Sequence, residues 1–299
     1  MAAAQMTAAP APGPGLRSRL LRATPYLLLI PGLLWLLIFF VLPTVQMFTY
    51  SISSGTITSG FKITWTLQNY ADAFSRYGKQ FLNSILYGGL STILTLLIGF
   101  PVAYTIAFRG GRYKNLLLFL VIAPFFTSFL IRTLSWKILL GDDGPLLGPL
   151  KTILHILPGD FSVINTPLSQ LAGLTYNFLP FMILPLYVAL EKIDGRLIEA
   201  ASDLYASNWQ AFRRVTLPLA LPGVFAGTLL TFIPAMGDYV NAELLGNPTT
   251  QMVGNVIQNQ LIIQGHYPLG SALSFILMAA ILIAVFVYAR LLGTEQLTG

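Results

Sequence analysis

Cysteine is absent from this 299-residue sequence. Disulfides, thiolate metal sites and a cysteine nucleophile are therefore excluded, while the redox compartment stays undetermined. Charge is scarce: only 9% of residues are Asp, Glu, Lys or Arg, against about 25% in soluble domains, whose surfaces must stay wet. So few charges cannot dress a water-facing surface. The two histidines, His155 and His266, lie in separate loops more than a hundred residues apart, and neither belongs to a His-Glu-x-x-His zinc spacing. No Gly-x-Ser-x-Gly elbow occurs, and no Gly-rich phosphate loop ending in Gly-Lys-Ser/Thr. No catalytic or metal-ligating residue is assigned, and the chain is not expected to be an enzyme or to hydrolyse ATP by itself.

What the sequence does have is apolar length. Hydrophobic residues make up 55% of it, and the mean hydropathy is +0.71. A hydrocarbon core of about 30 Å needs roughly 17 to 25 helical residues. Six stretches free of Asp, Glu, Lys and Arg meet or approach this, over about 26–50, 81–108, 115–131, 167–190, 215–237 and 269–289. The expected fold is all-α and integral to a membrane, with about six transmembrane helices in a single domain over 25–299. Prolines inside the spans, such as Pro101, Pro124, Pro180 and Pro185, fit membrane bundles, where neighbours satisfy the freed carbonyls. Residues 1–24, rich in Ala, Pro and Gly, read as a disordered cytoplasmic N-terminus. The apolar run that follows is too long for a signal-peptide core, so it reads as an uncleaved first helix.

Orientation follows Lys and Arg. With the N-terminus inside, the inner segments hold eleven basic residues and the outer loops six, which places both termini in the cytoplasm. The net charge of +6 thus reports membrane orientation, and no nucleic-acid partner is expected. In the outer segment Pro145–Pro158, Leu146, Leu147, Leu150, Ile153, Leu154 and Leu157 follow helical spacing, predicting a short interfacial helix.

The inner loop 191–214 is long and carries both charge signs. Ile198, Ala201, Leu204 and Tyr205 would share one helical face, with Glu199 and Asp203 four apart on another. An apolar ridge with acidic flanks suits docking into a partner's groove. This stretch resembles the EAA loop of ABC importer permeases: Glu-Ala-Ala, three residues, Gly, nine residues, Ile, one residue, Leu-Pro. Glu199, Ala200 and Ala201 match, Val215 stands at the Ile position, and Leu217 and Pro218 fall at the expected spacing. The resemblance implies a type I importer permease bundle whose loop, including Asp203 and Leu204, seats in a cytoplasmic ATPase and couples its closure to the membrane helices. Tyr205 departs from the pattern, standing at the family's glycine. Glycine there allows a left-handed backbone that tyrosine resists, so the resemblance leaves the turn geometry at this position open.

The similarity extends to the spermidine/putrescine permease branch. It runs through Pro124–Trp136, Leu140–Pro145, Leu179–Tyr187, Leu190–Asp194, Ile233–Val240 and Glu243–Gly246. The resemblance implies a bacterial inner-membrane complex of a second homologous permease subunit, two ATPase subunits carrying ATP and Mg, and an external binding protein delivering a polyamine. Other small organic solutes share the wider architecture. Carboxylates and aromatic faces suit a polyamine, which points to Asp238, Tyr239 and Glu243 at the outer end of the fifth span, and to Tyr176 and Asn177 within the fourth. Asp142 and Asp143 add negative charge on the outer side. The alternatives are that Asp238 and Glu243 contact the binding protein or end a helix, that Tyr176 packs, and that Arg132 anchors at the interface or meets the partner subunit. A secondary transporter is disfavoured, because the spans lack central ionisable groups and no internal repeat is visible.

Overall fold

A computed structural model of the chain describes residues 28–152, 158 and 161–292. The first helix, α1 (Leu28–Ser51), is apolar and none of its residues before Ser51 is buried. It meets the rest of the chain at its outer end, where Phe48 and Phe275 lie with ring centroids 5.7 Å apart, and Tyr50 packs on Phe61 and Tyr267 at 5.1 and 5.6 Å. A two-stranded antiparallel hairpin follows, β1 (Ser53–Thr56) with β2 (Gly60–Ile63), in which Ser53 pairs with Ile63 and Thr56 with Gly60.

Helix α2 (Gln68–Arg109) runs for 42 residues, about 63 Å at 1.5 Å per residue, twice a bilayer's hydrocarbon thickness. After it come α3 (Gly111–Phe126), α4 (Phe129–Leu139), α5 (Leu147–Thr152), α6 (Pro167–Glu191), α7 (Gly195–Asp203), α8 (Asn208–Met236), α9 (Val240–Leu244), α10 (Val253–Gln258) and α11 (Tyr267–Leu292). Helices α2, α6 and α8 pack on one another and form the centre. Toward the cytoplasmic end their contact is built from Ala103, Ile106, Met182, Ile183, Leu186, Leu190 and Ala220, and midway from Tyr87, Leu174, Phe178 and Ala235.

Small residues set how close α8 comes to α6. Gly223, Gly227, Thr231 and Ala235 recur every fourth position and are all buried. A Cβ on Gly223 would stand 2.5 Å from the Ala189 Cβ and 2.8 Å from the Pro185 carbonyl oxygen, and one on Gly227 would stand 2.8 Å from the Met182 sulfur. Lipid supplies no hydrophobic drive between helices, so this backbone approach and its van der Waals contact hold the pair.

The helices differ from the expected spans in three places. The second begins at Gln68 rather than 81, and its first turns carry Arg76 and Lys79 beyond the apolar stretch. The third, expected over 115–131, is broken: α3 and α4 meet at 95°. Pro124 opens a 3-10 turn there, and Thr127 and Ser128 take extended backbone. Among the described residues, five helices are long and apolar enough to cross a membrane, or six with the α3–α4 pair as one span. The fifth begins at Asn208 rather than 215, so the end of the loop 191–214 is already span. The predicted outer helix is seen as α5, while Ile153, Leu154, Leu157 and His155 lie outside the described residues, as does the N-terminal segment 1–24.

Candidate coupling element and outer path

The loop between α6 and α8 is folded by its own capping residues. Asp194 accepts the Arg196 backbone N–H at 3.0 Å and starts α7. Ser207 and Gln210 form a reciprocal capping box that starts α8. Between them, Tyr205 N–H donates to the Ser202 carbonyl at 3.0 Å and Ala206 N–H to the Ala201 carbonyl at 3.0 Å. With Tyr205 at φ +59°, this is the left-handed Schellman closure that satisfies a helix's last carbonyls. The turn a glycine would make is therefore made by tyrosine. It also corrects the expected shared face. Ile198 and Ala201 lie on α7 and are half-buried, but the helix ends at Asp203, leaving Leu204 82% and Tyr205 98% exposed. Glu199, Ala200 and Asp203 are exposed as well.

From Asn208 the backbone enters the membrane without a break. Five residues, Phe212–Thr216, form a π-turn, and Pro218 follows two residues later. Proline lacks an N–H and crowds the carbonyl four residues back, so a locally widened turn relieves both problems. The same arrangement recurs in α1, where the π-turn Leu37–Val41 precedes Pro43. Leu217 is half-buried behind this turn, and Pro218 is exposed. Phe212 also ties the element to a second span. Its ring lies 5.5 Å from Phe100 and 6.4 Å from Tyr104, both on α2, and stacks at 5.4 Å on Trp209. Lys114 of α3 and Glu191 at the end of α6 form an ion pair. Trp209 and Phe212 were not singled out from the sequence, although their three-residue spacing places both on one helical face.

At the opposite end, the segment 238–266 returns across the bundle between α8 and α11. Its irregular backbone is held by neutral side chains. Asn83 donates to the Thr249 and Gln251 carbonyls at 3.0 and 2.9 Å, Ser84 accepts the Val253 N–H, and Ser169 donates to the Leu245 carbonyl at 2.7 Å. Buried non-helical backbone requires such partners.

The residues expected along a substrate path fall into three groups here. Asn177 is fully buried and donates to Thr133 Oγ1 and Asn241 Oδ1, each at 3.1 Å. Asp238 belongs with them. The residue is 7% exposed, and its carboxylate accepts the Asn241 backbone N–H at 2.8 Å. Asp238 therefore does not present its charge to the outer entrance, because it caps α9. Burial pushes its carboxyl up to about 6, against the opposing pull of hydrogen bonds from Asn241 and Ala242. Tyr239 and Glu243 form the second group. Both are exposed, and Asn255 joins them by donating to the Tyr239 carbonyl at 3.0 Å and to Glu243 Oε2 at 3.2 Å. Tyr176 stands apart, 5.4 Å from Trp136 in an edge-on pair. It lines an apolar cavity of about 550 Å³ between α2, α3 and α6 with Pro101, Leu117, Pro124 and Pro180.

Charge on the outer side is also less free than expected. Asp142 pairs with Lys151 at 3.0 Å, and that hydrogen bond holds its carboxyl below the usual range. Asp143 is exposed. Arg132 is not an exposed anchor: it is buried against the rings of Phe125 and Phe129. Asn241, Asn255 and Thr133 carry no charge and follow no spacing motif, so only the fold brings them forward. Among the described residues, no group of three or more His, Asp or Glu is placed to hold a metal.

Comparison with known proteins adds three findings. Residues 95–293 match the family of binding-protein-dependent transport system inner membrane components. The chain is 40% identical over 257 residues to the spermidine/putrescine transport system permease protein PotB of Haemophilus influenzae, covering 86% of this chain and 90% of the relative. Against PotB of Escherichia coli K12 the identity is 36%, covering 86% and 93%. Among solved structures, it shares the fold of a chain from a bacterial ABC transporter involved in import of the acidic polysaccharide alginate. The TM-score is 0.74 at 19% identity, covering 95% of this chain and 99% of that one. The inward-facing MetNI methionine ABC transporter gives 0.56 at 19% identity, over 71% and 93%.

Proposed function

Because the chain belongs to the family of binding-protein-dependent transport system inner membrane components, we propose that it carries a polyamine such as spermidine or putrescine inward by alternating access. It is a multi-pass permease of the bacterial inner membrane and a transport component rather than an enzyme by itself. In this reading it works with a second homologous permease subunit, two cytoplasmic ATPase subunits that bind ATP and Mg, and an external binding protein. In the same reading this chain itself holds no cofactor. The relatives at 36–40% identity over most of both chains support the polyamine assignment.

The observation that carries the mechanism is the continuity of α7, its Tyr205 turn and α8. Force applied to Glu199–Ala206 passes along the π-turn into α8, whose backbone is packed directly against α6 through Gly223 and Gly227. Phe212 carries the same displacement to α2. ATP-driven closure of the ATPases thus rocks all three central helices together and opens the outer side to the loaded binding protein. There Glu243 supplies negative charge and Tyr239 a partly exposed ring, suited to an ammonium group.

The test is ATPase activity and uptake of the full complex in lipid, with binding protein and spermidine added separately and together. Stimulation only with both supports the polyamine importer. A stable complex indifferent to spermidine removes the substrate and keeps the architecture. Glu199→Lys is expected to insert normally yet uncouple hydrolysis from uptake, and normal uptake by that variant overturns the coupling role.

A further inference from the structure

We infer that Trp209, Gln210, Arg213 and Arg214 form a binding site for the phosphodiester headgroup of an anionic phospholipid, at the point where α8 enters the inner face of the membrane. The inference rests on the placement of the loop 191–214 on the cytoplasmic side and is independent of the solute transported.

The four side chains line a concavity of about 450 Å³ on α8. Their spacing of i, i+1, i+4 and i+5 puts them on one helical face, while Ala211 and Thr216 are buried against the bundle. Both arginines are exposed, and Trp209 is 67% exposed. Among the described residues, neither arginine has an ion-pair or hydrogen-bond partner. Of the acidic residues in the adjoining loop, Glu191 is taken by Lys114 and Asp194 caps α7. Two like charges that share one concavity repel each other. An anion seated between them removes that repulsion.

Depth and donor chemistry identify that anion. Residues 215–237 contain no Asp, Glu, Lys or Arg. As helix they span about 34 Å, close to the hydrocarbon thickness of about 30 Å. Arg213 and Arg214 therefore stand at the inner edge of the hydrocarbon, level with the lipid phosphates. Trp209 lies a turn further out, in the headgroup layer where indole rings collect. The site offers donors: two guanidinium groups, the indole N–H and the Gln210 amide, whose oxygen already accepts the Ser207 N–H at 2.9 Å. A phosphodiester supplies acceptors and a negative charge, and guanidinium meets it with paired N–H groups. Basic pockets on the cytoplasmic side of membrane helices hold such headgroups. A zwitterionic lipid would bring an ammonium beside the two arginines, so the site selects phosphatidylglycerol or cardiolipin over phosphatidylethanolamine. A carboxylate of a cytoplasmic protein fits less well, because it would have to enter the phosphate layer.

The full chain in detergent, with and without its partner ATPase, is titrated with phosphatidylglycerol, phosphatidylethanolamine and inorganic phosphate, and bound lipid is counted by native mass spectrometry. The unaltered chain is expected to retain phosphatidylglycerol in preference to phosphatidylethanolamine. Changing Arg213→Gln together with Arg214→Gln should weaken that binding about thirtyfold. Arg213→Lys with Arg214→Lys should regain most of it, which separates lost charge from a misfolded helix. Arg109→Gln with Arg112→Gln alters two exposed basic residues of the inner side that lie outside the concavity, and should leave the affinity unchanged. Equal binding of the zwitterionic lipid, or an equal loss in the Arg109/Arg112 variant, overturns the site. So does a lysine variant as weak as the glutamine one. Displacement of the lipid by an equal concentration of inorganic phosphate would assign the arginines to free phosphate instead. Displacement by the ATPase would assign them to a protein partner, and either result refutes the lipid site.

Discussion

Replacing Asp238 with asparagine is expected to change how stability depends on pH, by an amount the structure sets. The carboxyl is buried, accepts the Asn241 backbone N–H, and holds its proton up to about pH 6 against an ordinary value of 3.8. A proton held more tightly in the folded chain adds stability that is fully present below about pH 4 and is lost as pH rises through about 6. At 1.36 kcal/mol for each tenfold change in proton affinity, the difference amounts to about 3 kcal/mol. Asparagine keeps an oxygen to accept from Asn241 but stays neutral throughout. The unaltered chain should therefore lose up to about 3 kcal/mol relative to Asp238→Asn between pH 4 and pH 8. Roughly 2–4 °C per kcal/mol applies to a chain of this size, so the gap in melting temperature should move by roughly 6–12 °C. Thermal unfolding of both proteins in one detergent across that range measures it. A gap that stays constant with pH refutes the reasoning. A gap that moves in the opposite direction would mean that hydrogen bonds to the ionised form outweigh burial.

The remaining predictions concern packing and coupling. Gly223→Ala should cost about 1–3 kcal/mol, because its methyl meets the Pro185 carbonyl and the Leu186 backbone, neither of which can rotate away; a melting temperature equal to the unaltered chain's would refute the close approach of α8 to α6. Phe212→Ala removes ring contacts to Phe100, Tyr104 and Trp209, worth about 0.5–1.5 kcal/mol each beyond burial. It should lower uptake per ATP hydrolysed while leaving the ATPase bound, with Phe212→Tyr restoring the ratio; an unchanged ratio in Phe212→Ala would remove α2 from the coupling route.

Much of this protein was legible before folding. Charge-free stretches of membrane length reveal a helical membrane bundle because water and hydrocarbon sort residues by type, and that sorting is written along the chain. The coupling loop was legible for a related reason. Its Glu199-Ala-Ala triplet, its acidic flank and Leu217-Pro218 act within a few residues of where they stand, whereas the caps Asp194 and Ser207 emerged only with the structure. Where local signals ran out, tertiary structure decided. Residues 115–131 are apolar enough for a straight span, yet Pro124 and the extended Thr127 and Ser128 turn the chain through 95°. Hydropathy has no term for direction, so the pattern could not show the bend. Asp238 looked like a free carboxylate because sequence gives its charge and not its orientation. Its burial depends on α9 folding back over it and on Asn241, Asn177 and Thr133 meeting from three separate helices. Tyr205 runs the other way: the local rule disfavours a left-handed tyrosine, and the backbone closure between α7 and α8 imposes it. The sequence alone thus determined which segments are long and apolar enough to enter the membrane and which inner loop carries the pattern proposed for coupling. Only the tertiary structure decided which polar atoms face inward and which side chains remain for a partner, because those depend on contacts between residues distant in the chain.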